Sequence, residues 1–334
     1  MTPIAPYITA FLREHLPMER QASQHTCDTY AYAFQLLFEF AAKRLDVRPS
    51  DLAVEQLDAQ LVLAFLEHIQ ENRGNSSRTR NARLAAIKSF MAYLEHRIPG
   101  ALDQVRRMLA IPSQRTDTRL VRHLNVADCQ ALLAAPDPGT RLGIRDRAML
   151  YLAVTGGLRA SELVGLRMDD LTFDARRVSI HVRGKGRRER IIMLWQTVAD
   201  SLRSWLAVRG NPSAPEVFLN ARSQPMTRAG FEYVVKKHMA DAAVRDAALA
   251  GKRVSPHVLR HTCAMNTLQA TGDIRKVALW LGHASTQTTE IYLQADPSQK
   301  LEALNSMVPP MLRPGTFKPS DKLIAMLKGH DYAK

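Results

Sequence analysis

The sequence predicts a mainly helical fold with one small β-hairpin, split between two domains. Three observations carry this prediction. Apolar residues recur at helical spacing through most of the 334 residues, and the period changes from 3.6 to 2 only between residues 178 and 194. A polar stretch, 111–122, breaks the periodicity about a third of the way along. The length agrees with two domains at roughly 100–200 residues each.

The first third reads as a small helical bundle. Ile4, Tyr7, Ile8, Phe11 and Leu12 form one apolar stripe on a short helix. A second helix is expected to begin near Asp28 or Thr29 and to place Tyr30, Phe34, Leu37, Phe38 and Ala41 on one face. Leu61, Val62, Phe65, Leu66 and Ile69 define a third, and Leu84, Ile87, Phe90, Met91 and Leu94 a fourth. The fourth opens on Ser76, Ser77, Arg78, Thr79, Arg80, Asn81 and Arg83. Unpaired N–H groups and the helix dipole suit such a terminus to a phosphate, although a capped, solvated helix start has the same composition. In 111–122 and just before it, Arg106, Arg107, Arg115, Arg119 and Arg122 face one acid, Asp117. That is the composition of a linker lying along a nucleic-acid backbone.

The second domain is mixed. Asn125 with Asp128 three residues on resembles a capping arrangement for one helix. Another helix runs from about Ile144 to Val154 and stops at Gly156 and Gly157. Val178, Ile180 and Val182 then alternate with Ser179 and His181, and Ile191 to Leu194 follow a basic turn, giving the hairpin. Helices return at about 197–208, 227–243, 256–269 and 274–281.

Composition narrows the function. Lys and Arg number 46 against 32 Asp and Glu, a formal charge of +14, while hydrophobic content is 46%, an ordinary globular value. The charge points to a polyanionic partner, nucleic acid before membrane, or to a solubilising surface. Cys27, Cys129 and Cys263 are odd in number and widely spaced, which argues against a disulfide framework or thiolate zinc site. With no signal peptide and no apolar run of membrane-spanning length, a reducing cytoplasm is expected.

Four segments combine functional side chains with backbone punctuation. In TGGLRASEL (155–163) an arginine follows a Gly-Gly break, so Arg159 either faces a site or stands at the surface beside a helix junction. RGKGRRER (183–190) is a hairpin tip, either a solvated charged turn or a lysine-bearing reach toward DNA. In HVLRHT (257–262), behind Ser255 and Pro256, His257 and Arg260 share a face near a helix N-terminus. His257 and His261 have zinc spacing, but Val258 stands where HExxH needs Glu, which argues against a metal site, and His261, on the side continuing into Cys263, Ala264 and Leu268, reads as a buried structural histidine. LGHASTQTT (281–289) leads into Tyr292, on a short helix capped by Ser285 or Thr288.

Taken together, these motifs in this order closely resemble the tyrosine recombinases, also called phage integrases, over essentially residues 1–300. The resemblance implies an N-terminal SAM-like core-binding bundle and an α+β catalytic domain. It implies bounds of 1–110, linker 111–122, catalytic 123–300, and a tail, 301–334, passed to a neighbouring protomer. Arg159, Lys185, His257, Arg260, His283 and Tyr292 match the six active-site positions, and Glu162 an acidic position supporting the first arginine. Arg78, Arg80, Arg83, Arg115, Arg183, Arg187 and Arg188 are the expected DNA contacts. Leu293 and Gln294 depart from the Thr-His that follows the tyrosine in many members.

The implied activity is cutting and rejoining of double-stranded DNA through a 3′-phosphotyrosine. Arg159, Arg260 and His283 would bind the phosphate oxygens, His257 would accept the tyrosine proton, and Lys185 would protonate the 5′-oxygen. No cofactor, ATP or metal is expected. A homotetramer, or a heterotetramer with a related recombinase, would assemble on synapsed sites. The short lead before the first helix leaves no room for an arm-type DNA-binding domain. Integration, excision or transposition of a mobile element is the favoured role, with an Xer-type dimer-resolving recombinase as the alternative. A type IB topoisomerase and a non-catalytic DNA-binding protein are more distant possibilities.

Overall fold

The computed structural model describes residues 1–116, 120–174, 177–184, 189–210, 213–283 and 288–295, with residues 294 and 295 described by backbone only. The chain divides after residue 118 into two units, each with its own core. The fold is mostly helical with one small antiparallel sheet, as the sequence predicts. Among the described residues no helix is long and apolar enough to cross a membrane.

In the first unit, α1 (Ala5–Ala10) runs on into π-helical turns (Phe11–Glu19), followed by α2 (Gln24–Leu45), α3 (Ala59–Glu71), α4 (Ser77–Glu95) and α5 (Leu102–Leu109). Each of α2, α3 and α4 starts where a side chain accepts an otherwise unpaired N–H. Ser23 takes that of Thr26, Asp58 that of Leu61, and Ser76 that of Thr79. The second helix thus begins a turn before Asp28, because Ser23 caps it and Cys27 already lies in the core. Phe11, Phe34 and Phe90 meet edge to face at centroid distances of 5.3–6.0 Å in the centre of this unit. The fifth helix is absent from the sequence reading, since only Val105 and Met108 of its eight residues are buried. It takes up Arg106 and Arg107, which are therefore helical rather than part of a linker. Ile111 also packs into this core, and the Asn81 side chain bonds both the N–H and the carbonyl of Gln114, at 3.0 and 2.7 Å.

The second unit begins with α6 (Val126–Ala134), where Asn125 and Asp128 exchange the reciprocal bonds of a capping box. Next come α7 (Arg141–Gly156) and α8 (Ala160–Val164). The sheet follows, β1 (Leu171–Phe173), β2 (Val178–Arg183) and β3 (Glu189–Leu194), and then α9 (Gln196–Arg209), α10 (Arg228–Arg245), α11 (Pro256–Thr271), α12 (Ile274–Leu281) and α13 (Glu290–Ala295). Strand β2 is central and antiparallel to both neighbours, with Val182 opposite Arg190 and Arg183 opposite Glu189. Strand β1 was not expected from the sequence; at three residues it is too short to show a period of 2. Helix α7 is buried along much of its length and packs against α9 and α11. A smaller cluster of Cys263, Ala264, Met265, Leu268, Val277 and Leu281 joins α11 to α12 and receives Tyr292. The tail, 301–334, lies outside the described residues.

Gly157 closes α7 at φ +59°, and a Cβ there would come within 2.6 Å of Leu281 and 3.0 Å of Cys263. Both the left-handed backbone and the close approach require glycine. Gly157→Ala is expected to lower stability by about 1–3 kcal/mol, measured by denaturant unfolding; an unchanged midpoint would show that this junction is not tightly packed.

Candidate active site

The site forms where the ends of α7 and α12 meet the N-terminal halves of α8 and α11. Arg159 is the N-cap residue of α8, and its backbone N–H donates to Glu162 Oε2 at 2.9 Å. Its guanidinium turns to the same carboxylate, with Nη1 2.6 Å from Oε1. Arg190, entering from β3, lays its fork on Glu162 at 2.8 and 3.3 Å. Arg260, from α11, brings Nη1 to 3.9 Å from Glu162 Oε2.

Arg260 is 2% exposed and also closes two helix ends, donating from Nη1 to the Gly157 carbonyl and from Nη2 to the Leu281 carbonyl at 2.7 Å. Helix C-termini carry partial negative charge, so two of them make a favourable seat for a buried cation. Burial and the neighbouring Arg159 pull its pKa down to about 10, which leaves it charged at neutral pH. Burial works to raise the Glu162 pKa, but the hydrogen bonds and charges of Arg190 and Arg159 prevail and hold it below the usual range.

The histidines and the tyrosine complete the cluster. Gly282, at φ +64°, reverses the chain so that the His283 N–H returns to the Ala278 carbonyl at 2.9 Å. A Cβ on Gly282 would meet Arg190 at 3.1 Å, so this turn sits directly on the arginine cluster. His283 Nδ1 lies 2.8 Å from the Thr289 hydroxyl. The tautomer in which Thr289 donates to Nδ1 keeps Nε2–H for a ligand. Burial and then Arg260 push the His283 pKa to about 4, so the ring is neutral at pH 7. His257 is shifted down by lost hydration and by Arg260 and Arg159. Tyr292 is 2% exposed, and burial raises its pKa to about 12. Its hydroxyl is 2.8 Å from His261 Nδ1.

Five of the six expected active-site residues, Arg159, His257, Arg260, His283 and Tyr292, thus occupy one neighbourhood of the second unit. Lys185, with Arg187 and Arg188, lies outside the described residues. The expected DNA contacts behave differently from one another. Arg78 and Arg115 are exposed, and Arg183 is exposed but reaches Asp170 at 3.0 Å. Arg83 is half-buried, donating to the Thr29 carbonyl and lying over the Tyr32 ring. Arg80 needs correction: it is 6% exposed and donates to the Pro112 carbonyl at 3.3 Å. It precedes Leu84 and Ile87 by four and seven residues, which puts it on the core stripe of α4.

Two site residues escaped the sequence reading. By composition Arg190 belongs to the charged run of the hairpin, yet it pairs with buried Val182 and shares strand parity with buried Ile192. Cross-strand partners and i, i+2 neighbours face the same side of a sheet, so alternation alone marks it as inward-pointing. The apolar residues that follow His261 suggest a structural part, but its place one residue after Arg260 and four after His257 brings it to the same end of α11.

The model of the phage integrase family matches residues 122–299, and that of the phage integrase N-terminal SAM-like domain matches residues 8–97. The protein y4rC of Sinorhizobium fredii is 42% identical over 97% of both chains. Tyrosine recombinase XerC of Pelobacter propionicus is 32% identical over 92% of this chain and 97% of its own. In fold, the chain is similar to the XerH site-specific recombinase in its post-cleavage complex with palindromic difH substrate. The TM-score is 0.67 at 22% identity, over 86% of this chain and 81% of that one. The chain belongs to the phage integrase family. It is a tyrosine recombinase, an enzyme that cuts and rejoins DNA strands in site-specific recombination.

Glu162 is the natural point at which to perturb this cluster. A carboxylate held below its unfolded pKa of about 4.3 contributes stability that is complete above that value and is lost as pH falls through the folded one. Glu162→Gln is therefore expected to cost about 3 kcal/mol at pH 7, with the difference from the parent shrinking in denaturant titrations at progressively lower pH below 4. A difference that stays constant with pH would contradict the charge-based account.

Proposed function

We propose that Tyr292 attacks the scissile phosphate of duplex DNA, forming a 3′-phosphotyrosine and releasing a 5′-hydroxyl. The observation that supports this most is the gathering of Arg159, Arg190 and Arg260 on the single carboxylate of Glu162. Three guanidinium groups and one carboxylate leave two positive charges uncompensated, an arrangement that suits the negative charge building up on the phosphate oxygens. Arg159 and Arg260 bind those oxygens, and neutral His283 adds a hydrogen bond from Nε2. His257 receives the tyrosine proton and returns it in the reverse step. Lys185 protonates the departing 5′-oxygen. The phosphotyrosine retains the bond energy, so a 5′-hydroxyl from another duplex rejoins the strands without ATP.

The wider assignment follows from the same reading. Residues 1–110 and 123–300, joined by 111–122, each contact the duplex, with Arg78, Arg83, Arg115, Arg183, Arg187 and Arg188 on its backbone. Four protomers, of this chain alone or with a related recombinase, act on synapsed sites in the cytoplasm. A mobile-element role is favoured over chromosome-dimer resolution.

Tyr292→Phe is expected to abolish covalent capture of a nicked suicide duplex, read as a shifted band after denaturing electrophoresis, while duplex affinity stays within about twofold. Persistent capture by the phenylalanine variant would sink the assignment of the nucleophile.

A further inference from the structure

A phenol hydroxyl taken into a protein interior needs a hydrogen-bond partner. For Tyr292 that partner, among the described residues, is His261, at 2.8 Å from Nδ1 to Oη. The two rings meet edge to face with centroids 5.5 Å apart, and His257 stands edge to face against His261 at 4.2 Å. Tyr292 packs in the cluster formed by Cys263, Met265, Leu268 and Leu281, which holds its ring. What this packing leaves open is the rotation of the O–H bond, and that rotation decides where the oxygen lone pairs point.

We infer that His261 is a positioning residue for the nucleophile, accepting the Tyr292 O–H at Nδ1 so that an oxygen lone pair stays free for the scissile phosphorus. This rests on the reading of Tyr292 as the attacking group, and adds to it a residue outside the six family positions. The imidazole must be neutral to accept, and it is. Burial, followed by the electrostatic influence of His257, Arg260, His283 and His123, brings its pKa to about 4. A neutral ring with Nδ1 as acceptor carries its proton on Nε2. An imidazolium would donate from Nδ1 instead and occupy the lone pair that attack requires. His261 sets the direction of the hydroxyl before attack; as the oxygen–phosphorus bond forms, the O–H leaves Nδ1 and its proton goes to His257, the proposed acceptor.

The test uses full-length protein and a nicked suicide duplex under single-turnover conditions. His261→Leu removes the acceptor, and His261→Asn places an amide oxygen close to the position of Nδ1. Covalent capture by the leucine variant is expected to slow roughly 100-fold, the cost typical of a misplaced reacting group. The asparagine variant should recover at least about a tenth of the parent rate, and duplex affinity should be unaltered in both. Capture by the leucine variant at the parent rate, or an asparagine variant as slow as the leucine one, overturns the inference. If His261→Leu fails to fold, His261→Gln takes its place, because its amide extends toward the Nε2 position; slow capture is expected, and parent-like capture overturns the inference. Tyr292→Phe separates the two levels. If it still captures DNA, the nucleophile assignment fails; if it is inert while His261→Leu is fast, only the role of His261 fails.

Discussion

A buried carboxylate with three arginines around it organises the catalytic unit. Glu162 receives Arg159 from its own helix start, Arg190 from the sheet and Arg260 from α11. Without the carboxylate, the guanidinium groups would repel one another in a region poor in water. With it they are held at short range, still with an excess of positive charge, before any ligand arrives. Such preorganisation spares the enzyme the reorganisation that the same charges would need in water.

The fold places these groups by mostly local means. Arg159 is fixed by the capping bond between its own N–H and Glu162 three residues later. Arg260 is fixed because it satisfies the terminal carbonyls of two helices, and the closeness of those helices depends on Gly157 having no side chain. The same contact sets the end of α12, from which Gly282 turns the chain toward His283. Tyr292 is then carried on a short helix against α11 and α12. Packing, helix ends and charge therefore bear on one another here: disturbing the junction at Gly157 shifts the arginine cluster as well as the core.

Much of this was legible in the residues. The periodic helices, the capping pair of Asn125 and Asp128 and the hairpin alternation all depend on local pattern, which a sequence displays directly. What escaped depends on tertiary context. Helix α5 buries two side chains in a charged segment, and β1 is too short to show a period. Arg80 looks like a surface arginine until its spacing to Leu84 and Ile87 is weighed above its charge. Arg190 and His261 were hidden for a related reason. Each sits in a motif whose more conspicuous neighbours, Lys185 and Arg260, absorb the interpretation, while strand parity and helix spacing already point both inward.

On the proposed reading, Arg159 acts on the negative charge of the phosphate. The side chain is 38% exposed and held to Glu162, and among the described residues it has none of the carbonyl contacts that seat Arg260. The most direct measurement compares single-turnover capture by the parent and Arg159→Ala on two suicide duplexes, one with a normal scissile phosphate and one with an uncharged methylphosphonate there. The expected loss is roughly 100- to 1,000-fold on the phosphate, falling to about tenfold or less on the methylphosphonate, where there is no anionic oxygen left to stabilise. An equal loss on both substrates would contradict the account and leave Arg159 a merely structural part of the Glu162 cluster.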